Sequence, residues 1–231
     1  MIDRFYNQLR TAVIERRAAH CPGRVSVIVA VNGFTLVCIL LAMILVPYDE
    51  PRHYHFVREK GAITALSAIF LAAASAFSFA SLLALIRAKE PNKWAWFVLA
   101  LGFAFFSFDE LLQFHEQVGR MIGRIANSGP FRNWNDVLVI LYGVVALPVL
   151  IAMLPSLMRW RTVVEMFAIA FVFYGIHTFI DSTSDPATST SIILEESAKL
   201  LAGACLLIGT IVGFVGVLWK NSAFGPTKND A

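Results

Sequence analysis

The sequence predicts an all-α, polytopic integral membrane protein with six transmembrane helices and both termini in the cytoplasm. Of its 231 residues, 58% are hydrophobic and only 15% are charged, and the mean hydropathy is +0.67. A soluble domain of this size needs more polar surface than this composition supplies. Six apolar runs of about 18 residues or more are long enough to cross a hydrocarbon core of about 30 Å. Within that core the backbone polar groups are satisfied internally, so the runs are expected to be helices.

The six spans are predicted, in order, at 25–46, 62–86, 94–114, 137–157, 163–180 and 192–219. The third is the run WAWFVLALGFAFF followed by an acidic cluster, and the fourth follows Asp136, a residue type that caps helix starts. The sixth opens with EESAK and continues to Trp219. Residues 1–24 form either an interfacial amphipathic helix or a solvated basic arm, and residues 220–231 a flexible tail. This gives one membrane domain, 25–219, in the cell (inner) membrane.

Orientation follows from the positively charged residues in the loops. The predicted topology puts twelve Lys and Arg on the side of the two termini and six on the other side. Positive residues concentrate on the cytoplasmic side of short loops, so both termini are expected there. The twelve are Arg4, Arg10, Arg16, Arg17, Arg24, Arg87, Lys89, Lys93, Arg159, Arg161, Lys220 and Lys228, and the six are Arg52, Arg58, Lys60, Arg120, Arg124 and Arg132.

Titratable residues collect at the outer ends of three spans. The segment FSFDELLQFHEQVGR ends span three, HTFIDSTSD ends span five and EESAK opens span six. Ionised groups are disfavoured in lipid, so they are expected to face one another or a water-filled cavity. We therefore predict an outward-facing polar pocket between spans three, five and six.

Helical periodicity assigns faces to these residues. At about 100° per residue, a helix that continues through span three carries Asp109, Gln113, Glu116 and Arg120 on one stripe, with Glu110 and His115 on either side of it. Span five carries an equivalent polar face. Its members are Tyr174, His177, Asp181 and Ser184. On span six, Glu195 and Lys199 are four residues apart and Glu196 and Lys199 three, so both pairs are neighbours on the helix surface.

One hypothesis for this pocket is a metal-dependent enzyme, a hydrolase or oxidoreductase acting on a lipid or amphiphile. Zinc would activate a bound water, whereas carboxylate-rich ligation also suits iron or manganese. Glu116 or Glu195 would serve as general base. The candidate ligands are Asp109, His115, Glu116, His177, Asp181, Glu195 and Glu196. In gathering His, Asp and Ser at one membrane face, the chain resembles the multi-pass alkaline ceramidase-like hydrolases, but their His-x3-His pair near the C-terminal span has no counterpart here.

The alternative is a non-catalytic membrane subunit or scaffold. The outer polar residues would then form a structural ion-pair network or a docking face for other membrane subunits, with Arg120 opposite Glu116 and Lys199 opposite Glu195. Helix capping also explains part of EESAK, because carboxylates favour the positive end of a helix dipole. A transporter is less consistent with the sequence, because the inner halves of the spans are mostly apolar. The net charge of +3 and the scattered Cys21, Cys38 and Cys205 indicate neither a nucleic-acid partner nor a disulfide framework.

Overall fold

The computed structural model describes residues 23–57, 61–90, 93–126, 134–183 and 188–221. These ranges contain eight helices and no strand. In chain order they are α1 (Arg24–Ile44), α2 (Tyr54–Val57), α3 (Ala62–Arg87), α4 (Trp94–Leu112), α5 (Phe114–Ala126), α6 (Trp134–Leu157), α7 (Arg161–Thr183) and α8 (Ser189–Asn221). Six of them, α1, α3, α4, α6, α7 and α8, are long and apolar enough to cross a membrane, which confirms the all-α class with six membrane-length helices.

The bundle has two ends, each defined by helix termini that meet there. At the Glu110 end α1 and α4 finish and α8 begins, and His53 in the loop after α1 lies 2.6 Å, Nδ1 to Oγ, from Ser189. At the Glu90 end α3 finishes, α7 begins and α8 finishes, and Lys220 donates to Glu90 over 2.9 Å. Predicted polar residues of spans three, five and six therefore all belong to the Glu110 end.

Helix α8 is the centre of the bundle. It packs against α7, α3 and α1, and most of its apolar length is covered by these neighbours. Gly213 of α8 receives the ring of Trp96 from α4, a side chain only 1% exposed. Glycine removes the Cβ and lets another helix approach closely, which is how membrane helices gain packing contacts. The site residues on α8 are thus carried by the most enclosed helix of the described structure.

Helix α4 is fixed to α3 by hydrogen bonds as well as by apolar packing. Ser75 of α3 donates to the carbonyl of Ala100 over 2.7 Å, and Ser107 of α4 donates to the carbonyl of Ala68 over 2.9 Å. Such bonds between helices contribute to association in a membrane, where apolar packing alone competes with lipid. They position the C-terminal turn of α4, which carries Asp109 and Glu110.

Helix α6 is most deeply buried at the Glu90 end. Met153 and Leu157 are 1% and 3% exposed at the Glu90 end, whereas Ile140 and Val144, nearer the Glu110 end, are 58% and 60% exposed. Exposed apolar side chains on a membrane-length helix are suited to lipid contact. Towards the Glu110 end, the ring of Tyr142 on α6 packs against Phe105 and Phe106 of α4, with centroid distances of 5.5 and 6.0 Å.

The predicted third span does not continue as one helix. Helix α4 ends at Leu112, and the next residue, Gln113, has a φ of 53°, in the left-handed region. A left-handed residue terminates an α-helix, and a separate helix, α5, starts at Phe114. The predicted single stripe of Asp109, Gln113, Glu116 and Arg120 is therefore wrong, because the first two residues and the last two do not share a helix.

Candidate functional site

The centre of the site is the ammonium group of Lys199 on α8. Its Nζ lies 3.0 Å from Oε1 of Glu110 and 2.8 Å from Oε2 of Glu196. The three side chains are 18%, 15% and 13% exposed, so water screens the pairs only partly. Glu196 lies one turn before Lys199 on the same helix, whereas Glu110 comes from the last turn of α4. Two carboxylates around one ammonium tie α4 to α8 at the Glu110 end.

A second ion pair closes the corner between α4 and α5. Asp109 is 7% exposed, and its Oδ1 accepts the backbone N–H of His115 over 2.9 Å. Its Oδ2 lies 2.8 Å from Nδ1 of the same residue. The carboxylate therefore satisfies a free N–H group in the first turn of α5 and orients the imidazole. The left-handed turn at Gln113 brings the two residues together.

The pKa of His115 is raised, first because its ring hydrogen-bonds to the Asp109 carboxylate. Burial opposes this effect, while the nearby charges of Asp109, Glu116 and Glu110 reinforce it. A raised pKa means that the folded state binds the proton more tightly than the unfolded chain does. The imidazolium form of His115 therefore stabilises the α4–α5 corner.

We expect this stabilisation to depend on pH in a defined direction. It is fully present below the unfolded histidine pKa of about 6.5 and is lost as pH rises through the folded value. Replacing His115 by Gln should lower the free energy of unfolding by about 1 kcal/mol more at pH 5.5 than at pH 8.5. Denaturant unfolding in detergent at the two pH values measures this, with H55Q as a control at the same end. The role of the His115 imidazolium is contradicted if the difference in unfolding free energy between the parent and H115Q is independent of pH, or if it is larger at pH 8.5.

A third contact joins α7 to α8. Nδ1 of His177 lies 3.8 Å from Oε1 of Glu195, and the two side chains are 13% and 22% exposed. This separation is too long for a hydrogen bond. Nδ1 of His177 is buried and has no hydrogen-bond partner among the described residues. The ring of Tyr174 lies one turn before it, with the centroids 5.5 Å apart. The pair is close enough to exchange a proton after a small movement or through one water.

Two predicted site residues, Glu116 and Arg120, form a separate pair on α5. Glu116 accepts from Arg120 over 3.0 Å on α5, an exposed pair at i, i+4 that contributes little to stability. Asp181 is exposed near the end of α7, but it lies close enough to Glu195 and Glu196 for its charge to act on both. The predicted Glu195–Lys199 pairing is replaced by the pairing of Lys199 with Glu110 and Glu196.

The structure does not gather a metal-ligand set from the candidates. Within the described ranges no three His, Cys, Asp or Glu side chains are placed to hold one ion. The carboxylates are divided instead between partners: Asp109 faces His115, while Glu110 and Glu196 both face Lys199. The predicted set of Asp109, His115, Glu116, His177, Asp181, Glu195 and Glu196 therefore has no support from this geometry.

Sequence reasoning missed two polar connections. His55 Nε2 lies 2.9 Å from the carbonyl of Leu45, which together with the His53–Ser189 contact fastens the loop after α1 to both α1 and α8. At the Glu90 end, Glu90 contacts both Lys220 and Arg159, at 2.9 and 3.7 Å. The predicted topology already placed Glu90, Arg159 and Lys220 at one end of the bundle. Helical periodicity gave no distance between them, so the contacts themselves were not predicted.

A family model described as a domain of unknown function, DUF8692, matches residues 26–213. No curated protein and no solved structure matches the chain significantly. The matched range includes Asp109, Glu110, His115, His177, Glu195, Glu196 and Lys199.

Proposed function

The chain belongs to the DUF8692 family of unknown function, and we propose that it is a non-catalytic integral membrane subunit or scaffold. In this proposal the polar cluster at the Glu110 end is a structural ion-pair network. The observation that supports it best is the position of Lys199, 3.0 Å from Glu110 and 2.8 Å from Glu196. Each of these charged groups has an opposite charge in contact.

The energetics of a membrane favour this interpretation. An ionised side chain near hydrocarbon is costly, and it persists when it is paired or faces water. Lys199 can reside inside the bundle because it is paired. Removing Lys199 alone, or both Glu110 and Glu196, leaves an uncompensated charge there. A network of this kind fixes the register of α4 on α8 and presents one defined surface at the Glu110 end. That surface is where we place contacts with other membrane subunits.

We further propose that the protein lies in the cell (inner) membrane with both termini in the cytoplasm. The support is the charge bias of the loops, with twelve Lys and Arg on the side of the termini against six. The Glu110 end then faces outward, and Glu90, Arg159 and Lys220 lie at the cytoplasmic surface.

A second candidate function is acid–base catalysis on a lipid or amphiphile. The observation that favours it is Nδ1 of His177, which is buried without a hydrogen-bond partner among the described residues and lies 3.8 Å from Glu195. Glu195 would be the general base, and His177 would position or exchange the proton. Turnover of a lipid ester or amide by the purified protein, lost in E195Q while the fold is kept, would favour this function over the scaffold.

The scaffold proposal is tested by removing all three charges at once. A variant with E110Q, E196Q and K199M has no uncompensated charge, so it should stay folded and within about 1 kcal/mol of the parent in unfolding free energy. Size-exclusion chromatography and thermal unfolding in detergent measure this. The proposal fails if K199M alone is as stable as the parent, because the charges would then not stabilise one another in the folded protein.

A further inference from the structure

A cavity of about 260 Å³ opens at the Glu90 end, between the first turns of α1 and α7. It is lined by Arg24, Ile28, Arg161, Thr162, Glu165 and Met166. Both helices pack against α8, and within the described ranges they make little or no direct contact with each other. Arg24 and Arg161 are also the first residues of two membrane-length segments, so the cavity lies at a membrane boundary.

The lining charges favour an anion. Two arginines and one glutamate line the cavity, and Nε of Arg161 donates to Glu165. A guanidinium has five N–H donors, so Arg161 keeps donors for a ligand. Arg24 makes no hydrogen bond or ion pair with any described residue. The first turn of α7 adds the positive end of a helix dipole to the same wall. An anion entering here meets a net positive lining.

The remaining lining residues indicate the kind of anion. Ile28 and Met166 each lie one turn further into their helix than the charged residues at its start, and both are apolar. An anion with apolar chains attached satisfies both parts of the cavity. Basic pockets between membrane helices bind anionic lipid headgroups in this way. The volume is below that of most drug-sized pockets, which suits a headgroup fragment rather than an enclosed whole molecule.

We propose that this cavity binds the phosphate group of an anionic phospholipid, with Arg24 and Arg161 as its ligands. Arg24, whose side chain has no hydrogen bond or ion pair with the described residues, contacts the phosphate directly, and Arg161 contacts it while still paired to Glu165. The acyl chains extend along the gap between α1 and α7. This site is separate from the ion pairs at the Glu110 end and does not depend on the proposed scaffold function.

Native mass spectrometry of the full chain tests the proposal. Protein extracted from vesicles of phosphatidylcholine and phosphatidylglycerol should retain phosphatidylglycerol preferentially. The R24Q/R161Q variant should retain it about 25-fold less, because each arginine near the headgroup contributes roughly a fivefold factor and the two factors multiply. R24Q alone should show a smaller loss, and this variant removes no hydrogen bond or ion pair between described residues. The control is R120Q, at the Glu110 end, which should match the parent.

Three results would overturn the assignment. The first is equal retention of phosphatidylglycerol by the parent and by R24Q/R161Q, with matching thermal unfolding curves. The second is no preference over phosphatidylcholine. The third is displacement by millimolar inorganic phosphate without any lipid preference, which would make free phosphate the ligand instead.

Discussion

Replacing Lys199 by methionine is expected to lower the free energy of unfolding by about 3 kcal/mol, at the lower end of the range for breaking a buried ion pair. The substitution leaves Glu110 and Glu196, which are 15% and 13% exposed, without the ammonium that lies between them. Two carboxylates then remain close together in an enclosed, partly apolar environment. Methionine keeps most of the side-chain volume, so the loss reports charge rather than packing. Denaturant unfolding in detergent measures it.

Two variants serve as controls for this result. Adding E110Q and E196Q to K199M should restore most of the lost stability, because no charge is then unpaired. R120M breaks the exposed Arg120–Glu116 pair and should cost less than about 1 kcal/mol. If K199M matches R120M, or if the two glutamine substitutions deepen the loss, the ion pairs do not stabilise the bundle.

Replacing Gly213 by alanine is expected to destabilise the bundle by about 1 to 3 kcal/mol, the usual cost of overpacking a tight core. The new Cβ would lie 2.2 Å from Cη2 of Trp96 and 3.1 Å from Cγ2 of Val163. Trp96 is 1% exposed and its ring is rigid, so it cannot move aside without displacing its neighbours. Thermal unfolding of the purified protein, with tryptophan fluorescence as the probe, measures the change.

The matched control is on the same helix. A Cβ at Gly203 would meet Phe70 at 3.7 Å, an ordinary contact. Because alanine is also the better helix former, G203A should be neutral or slightly stabilising. Equal effects of G203A and G213A would mean that α4 does not pack on α8 through Trp96.

The number of membrane helices was predictable because long apolar runs have few alternative structures. The end of the third span was not. Phe114 extends the apolar run, and nothing in the periodicity indicates that Gln113 adopts a left-handed conformation. That turn is stabilised by a contact between residues six apart, Asp109 and His115, which only coordinates reveal.

The site was predictable as a location and not as a set of contacts. Topology places the outer ends of three spans together, and lipid disfavours isolated charges there. Periodicity gives the direction of a side chain around its own helix, but not its distance from a residue on another helix. Glu110, which falls beside the predicted stripe, is the residue that contacts Lys199 at 3.0 Å. Glu195, predicted to pair with Lys199, lies instead beside His177.

The cavity at the Glu90 end was beyond sequence reasoning for the same reason. The charge rule uses Arg24 and Arg161 to orient the chain, but a rule that counts charges cannot show that two of them line one cavity. The two helices that line the cavity are far apart in the chain, because α2, α3, α4, α5 and α6 lie between α1 and α7.

A double-mutant cycle between Glu110 and Lys199 tests the central claim most directly. The cycle compares the unfolding free energies of the parent, E110Q, K199M and the double variant. The coupling between the two residues is the difference between the effect of the double variant and the sum of the two single effects. The 3.0 Å contact between α4 and α8 predicts a coupling of about 2 kcal/mol. A coupling below about 0.5 kcal/mol, equal to that of the exposed Glu116–Arg120 pair, would show that the two helices are not joined by these charges.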